Sequence, residues 1–317
     1  MVSDNSTPHA SDGNGAANQA GSFSLPMKPA LSFSDQLGVM EGRGLDVEDR
    51  QSALSLLSQS NYYRLRGYWL TFERGGRFLP GTTFDMIRDV YELDRELRQI
   101  TWRTLEPVEV KARTSLAYHL SMACGPDSYE DASLFKSEEG HERSMANIRR
   151  ERDRAIRDGV PCVKHNMEKY GALPVWAAVE IMTMGTVSQL YGNLSGKAAY
   201  PDSVTVKAAV ADDFGVRPYY LESWLRHLTY VRNICGHHSR LYNRVMTTKG
   251  KLLAMDSDYD SPKQFPTFLI LKRIYRRSWP EEWGAVVEGL KSAVDDHQSV
   301  SLDPMGFPEG WLDILSR

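Results

Sequence analysis

Between Thr83 and Thr104 the apolar residues Met86, Val90, Leu93, Leu97 and Ile100 recur at intervals of 4, 3, 4 and 3. Only a helix places such positions on one face. Asp85, Arg88, Asp89, Glu92, Arg95 and Glu96 fill the rest of the surface and read as a solvated face. Pro107 is expected to kink or restart the helix, because proline lacks the amide proton that the helix needs. A second helical stretch then carries Glu109, Arg113, Leu116 and Leu120 to a stop at "CGPD".

The same reading predicts short helices over Gln36–Met40 and Val47–Leu57. Residues 141–169, with eight Lys or Arg against five Asp or Glu, are expected to be partly helical. An apolar helix is expected over Pro174–Leu194, with Pro174 in its first turn. Further helices are expected over Tyr219–Cys235, Phe268–Arg276 and Glu281–Val294. Period-two alternation is weak throughout, so the fold class is all-α.

A chain of 317 residues can bury a sizeable core. Residues 1–27, rich in Ser, Gly, Asn, Ala and Pro, hold too little apolar surface to offset ordering entropy. They read as a disordered tail before a helical domain over 28–317. Cys124, Cys162 and Cys235 are odd in number and far apart, which gives no disulfide framework and fits a reducing, cytoplasmic compartment. The most apolar run, 173–185, is short and carries Glu180, so no membrane partner is expected. The N-terminus lacks the basic start and apolar run of a signal peptide. A formal net charge of -3 means that a nucleic acid would have to be held by a local basic patch.

Such a patch has one conspicuous source. The 33 residues Ser223–Met255 contain no Asp or Glu. They hold Arg226, Arg232, Arg240, Arg244, Lys249 and Lys251, with His227, His237 and His238. Either these cations meet an anionic ligand, most simply a phosphate backbone, or they pair with carboxylates from elsewhere. Within the helix here, Leu221, Leu225 and Leu228 continue in register to Arg232 and Cys235. A guanidinium on an apolar seam needs a partner. Glu109, Glu180 and a ligand phosphate all qualify, and structural and catalytic roles can coexist.

Beyond the helix lies "RNICGHHSRLYNR", residues 232–244. Gly236 is expected to relax or end the helix and let His237 approach Arg232. Metal-free RNA cleavage needs a base for the ribose 2′-OH, an acid for the leaving 5′-oxygen and a cation for the charge on phosphorus. Histidine suits the first two and arginine the third. The Arg-x4-His spacing alone is common. Zinc is a competing use of Cys235, His237 and His238, but no second Cys/His pair stands nearby. No metal or cofactor is therefore expected. Cys235 falls in the apolar register of an inert thiol, and "YGNLSG" (191–196) lacks the Lys-Ser/Thr ending of a phosphate loop.

A second cluster, "NYYRLRGYWLTFERGGRF" (61–78), interleaves Tyr62, Tyr63, Tyr68, Trp69 and Phe72 with Arg64, Arg66, Arg74 and Arg77. It could stack and grip single-stranded RNA. The residue types favour the plainer alternative, a packed aromatic corner with arginines reaching to solvent.

"RNICGHHSRLYNR" resembles the RN-x-x-x-H-H-x-R-x-x-N-R signature of the Abi-like family of bacterial abortive-infection proteins, the group that includes AbiD and AbiF. "KPALSFSDQL" (28–37), "NYYRLRGYW" (61–69), "FDMIRDVYELDRELRQI" (84–100), "LPVWAAVEIMTMGTVSQLYGNL" (173–194) and "MGFPEGW" (305–311) resemble the same family, in the expected order. The resemblance implies a HEPN-like helical bundle with additional N- and C-terminal helices. It also implies a metal-independent endoribonuclease acting in phage defence or as a toxin. Its motif maps onto Arg232 and His237, with Asn233 as the polar residue after the arginine and His238 adjoining. HEPN sites are usually composite, which implies a homodimer meeting through Tyr219–Arg244. Arg240 and Arg244, with Arg64 and Arg66, would hold flanking RNA. Some family members lie beside small RNAs that restrain them, so a non-catalytic protein that sequesters a small RNA is the alternative. Gly236 stands where many relatives are expected to carry Ala.

Overall fold

The computed structural model describes residues 27–317. The expected disordered tail lies outside the described residues apart from Met27. Local caps open the first helices. Ser32 accepts the Asp35 amide at α1 (Phe33–Gly42), Asp49 the Ser52 amide at α2 (Arg50–Gln59) and Asn61 the Tyr63 amide at the short α3 (Tyr62–Arg66). These side-chain oxygens satisfy amides that no helical carbonyl can reach. Strands β1 (Glu73–Arg74) and β2 (Arg77–Phe78) pair antiparallel around Gly75 and Gly76, at φ 59° and 78°. Two successive positive φ values make the tight hairpin turn that glycine allows. This hairpin is the only sheet among the described residues, and the fold is all-α.

Thr83 caps α4 (Phe84–Cys124), a helix of 41 residues and about 60 Å at the usual rise. Pro107 does not restart it, contrary to expectation. The carbonyl that proline leaves unpaired belongs to Arg103, an exposed residue that water can reach. The adjoining Thr104 carbonyl accepts the Tyr275 hydroxyl at 3.0 Å. Packing on both sides of the proline then holds the helix together.

After α4 come α5 (Glu138–Arg157), α6 (Pro161–Tyr170), α7 (Val175–Ile181), α8 (Met184–Asn193), α9 (Val206–Asp213) and α10 (Pro218–Gly236). The chain ends with α11 (Phe265–Ser278), α12 (Pro280–Asp296) and α13 (Trp311–Ser316). The apolar helix expected over Pro174–Leu194 is two helices, α7 and α8. Met182 is extended, Thr183 caps α8, and the guanidinium of Arg113 on α4 donates to the carbonyls of Val179 and Met182. A charged donor from another helix thus satisfies the carbonyls that the break exposes. No helix among the described residues is long and apolar enough to cross a membrane.

Helix α4 is the axis of the bundle, with α7, α8, α9, α10, α11 and α12 packed along it. One contiguous set of buried apolar side chains runs from Leu37 to Leu315. It takes in Leu221, Leu225, Leu228 and Cys235 on α10, and burial pushes the Cys235 thiol up to about 12. His227 also belongs to this core. Its Nδ1 lies 2.6 Å from the Thr248 carbonyl and its Nε2 2.9 Å from the Thr267 hydroxyl, and burial lowers its pKa. A neutral, fully bonded histidine is a structural residue, so His227 leaves the list of surface cations.

Candidate active site

The last turn of α10 is set by what it packs against. Gly236 is the last residue of the helix, as expected. A Cβ there would lie 2.7 Å from the Trp102 ring of α4, so glycine is needed for close approach. Gly236→Ala is expected to cost about 1–3 kcal/mol by overpacking. A lower urea midpoint with an unchanged slope would register it; an unchanged midpoint would mean that the indole moves freely.

The residue that turns the chain is His238, at φ 53°. Its amide donates to the Cys235 carbonyl at 3.0 Å and the Ser239 amide to the Ile234 carbonyl at 2.9 Å. This is a Schellman cap, with histidine at the left-handed position where glycine is preferred. The strain of about 1 kcal/mol is held from outside: Arg64 of α3 donates to the His238 carbonyl at 2.5 Å. His238→Gly is therefore expected to keep the fold and raise the melting temperature slightly. A drop of several degrees would contradict that.

The loop after the cap is anchored to α4. Asp94, fully buried, accepts the amides of Leu241 (2.9 Å) and Tyr242 (2.6 Å) and the Tyr68 hydroxyl (2.7 Å), and pairs with Arg98. Burial pushes its pKa up, against the opposing pull of Arg98, Tyr68 and the two amides. Arg240 donates to the Tyr242 carbonyl and passes so close to Gly67 that a Cβ there would lie 2.8 Å from its Nε. Arg244 Nε donates to the Arg240 carbonyl at 2.8 Å. The segments 61–69, 84–100 and 232–244 thus interlock around Asp94.

Arg232 lies against α4. Its guanidinium sits 5.0 Å from the centre of the Trp102 ring, and its Nε lies 3.3 Å from Glu109, which also pairs with Arg113. Of the two carboxylates open to it from the sequence, Glu109 is the partner; Glu180 is exposed on α7. The Arg232 side chain remains 35% exposed, so it can still meet a ligand. Trp102 stands between two clefts. One, of about 390 Å³, is lined by Arg232, Glu109, Arg113 and Glu106. The other, of about 480 Å³, is lined by Arg95, Gln99, Arg103, Gly236 and His238. His237 and Asn233 are exposed, His237 at the helix C-cap.

Among the other cations of the acid-free stretch, Arg226 pairs with Glu222 and Lys249 with Asp260, while Lys251 lies 3.4 Å over the Tyr219 ring. Carboxylates and aromatics from outside the stretch thus take up part of the charge. In the second cluster Tyr68 and Trp69 are buried and Tyr63 is exposed, which is the packed corner that the residue types favoured. Arg66 is exposed. Sequence reasoning missed Trp102 and Asp94. The signal for Trp102 was a large aromatic off the apolar register of its helix.

The profile of the Abi-like protein family matches residues 55–243. The chain belongs to the Abi-like protein family. The match covers the segments 61–69 and 84–100, the α7–α8 pair and the third segment as far as Asn243, within the loop that Asp94 anchors. No curated protein and no solved structure matched the chain. In this Abi-like protein the matched region includes the segments that meet around Trp102 and Asp94.

Proposed function

We propose that this Abi-like protein is a metal-independent endoribonuclease of a phage-defence or toxin system. It cuts RNA by attack of the ribose 2′-OH, leaving a 2′,3′-cyclic phosphate. The observation that carries the proposal is the last turn of α10. A partly exposed Arg232, held by Glu109 and Trp102, stands five residues before an exposed His237 at the helix C-cap. Arg232 stabilises the charge that develops on phosphorus, and its orientation is set before substrate arrives. His237 transfers the proton, and Asn233 beside Arg232 contacts the phosphate. A homodimer meeting through Tyr219–Arg244 supplies a second His237, so that one copy serves as base and the other as acid.

RNA incubated with the purified protein in EDTA is expected to be cut. RNA that is bound but stays intact would favour the alternative, a protein that sequesters a small RNA.

The arginines divide by their partners. Arg64, Arg240 and Arg244 hold backbone carbonyls, so they shape the motif loop as well as lending it charge. Arg66 is exposed and has no ion-pair partner among the described residues. Arg66→Ala is expected to weaken RNA binding and flatten its salt slope by roughly one unit, with no loss of stability. Arg240→Ala is expected to lower the melting temperature as well. An unchanged salt slope for Arg66→Ala would remove that residue from the RNA path.

A further inference from the structure

The cleft between α4 and the motif loop has a composition of its own. Arg95, Gln99, Trp102 and Arg103 come from one side of α4, at positions i, i+4, i+7 and i+8, and face Gly236 and His238. Arg95 and Arg103 are exposed and have no ion-pair partner among the described residues. Arg98, which also borders the cleft, is taken up by Asp94. Among the described residues no carboxylate lines it. At about 480 Å³ it has room for a nucleobase. The indole that borders it is the one against which Arg232 packs.

We infer that this cleft is a nucleobase subsite: Trp102 stacks the base of the nucleotide next to the phosphate held by Arg232, and Arg95 and Arg103 read its edge. The inference rests on the proposed ribonuclease reading for its substrate class. Aromatic rings stack on any base, so Trp102 supplies affinity without choice. The choice comes from hydrogen bonding. Two unpaired guanidinium groups offer donors only. The base that answers with two adjacent acceptors is guanine, through O6 and N7, whereas cytosine and adenine present an amino group there. The Gln99 amide oxygen remains to accept the ring N–H of guanine. The subsite therefore places cleavage beside guanine.

The test measures binding without cleavage. The probes are 2′-O-methyl pentanucleotides of cytidine with guanine, adenine, uracil or cytosine at the centre. They lack the attacking hydroxyl and cannot be cut. Wild-type protein is expected to bind the central guanine at least about fivefold tighter than adenine or cytosine. Trp102→Leu is expected to lose about ten- to a hundredfold for every probe, and Trp102→Phe to keep most of the affinity. Arg95→Ala with Arg103→Ala, both on exposed side chains, is expected to retain the fold and remove the guanine preference.

Affinities within twofold of wild type for Trp102→Leu, or a double variant with the preference intact, would overturn the subsite. The two readings fail separately. A wild type that binds through Trp102 but never cuts ordinary RNA refutes the ribonuclease and leaves the subsite. A wild type that cuts RNA while Trp102→Leu binds and cuts equally well refutes the subsite and leaves the ribonuclease.

Discussion

His237→Ala is expected to lower the rate of RNA cleavage by about 10²–10⁴-fold and to leave the melting temperature within about a degree of wild type. General acid–base groups contribute that much, because they move a proton in the transition state and little else. The small effect on stability follows from position. His237 is exposed at the C-cap of α10, and its amide, not its ring, bonds the Asn233 carbonyl at 3.0 Å. Alanine keeps the amide and opens no cavity. The neighbouring histidine is best tested as His238→Gly. Alanine at φ 53° would keep the backbone strain, whereas glycine removes both the ring and the strain. With His237 as the acid/base, the His238→Gly protein still cuts RNA. Cleavage retained by His237→Ala and lost by His238→Gly would assign the chemistry to the other residue.

The largest stability effect is expected at Asp94. Its carboxylate answers two backbone amides, a tyrosine hydroxyl and a buried guanidinium at once. Asp94→Ala leaves Arg98 charged in the core with no carboxylate and only the Tyr68 hydroxyl at 3.2 Å, and leaves the Leu241 and Tyr242 amides unsatisfied. Breaking a buried ion pair from one side costs about 3–5 kcal/mol. Because those amides hold the loop after His238, the proposed RNA-binding surface is expected to loosen along with the fold. Asp94→Asn keeps an acceptor for the amides but turns an amino group or a neutral oxygen on Arg98, and is expected to recover only part of the loss. Urea unfolding of the three proteins measures the series. A loss below about 1 kcal/mol for Asp94→Ala would mean that Arg98 finds other partners.

Asp94 also shows where the sequence stops being legible. Phe84, Ile87, Tyr91, Asp94, Arg98 and Thr101 follow helical spacing as regularly as the apolar stripe does. A carboxylate in such a row looks like part of the solvated face. Beyond Arg98 at i+4 and Tyr68, its partners are the Leu241 and Tyr242 amides, 147 and 148 residues away, and no local pattern points to them. The same limit explains Arg240 and Arg64, which read as phosphate ligands because sequence does not show that a backbone carbonyl waits for them. It explains the break between α7 and α8, whose exposed carbonyls are served by Arg113 from another helix.

What the sequence did carry was periodic or chemically singular. The 4-3-4-3 spacing marked the N-terminal half of α4, and the acid-free stretch marked the end of α10. The register of α10 put Arg232 on a seam where it needed a partner and named Glu109 as one of two. Only the fold chose between Glu109 and Glu180, by setting α10 against α4 with Trp102 in the same corner.

The central claim, metal-free cleavage through the 2′-OH, is tested most directly by the chemistry of the RNA ends. Purified protein is incubated in EDTA with an RNA of known sequence, and the fragments are analysed by mass. The account predicts 2′,3′-cyclic phosphate on one fragment and a free 5′-hydroxyl on the next, with yields unaffected by EDTA. Fragments ending in 3′-hydroxyl and 5′-phosphate, or cleavage that EDTA abolishes, would contradict it.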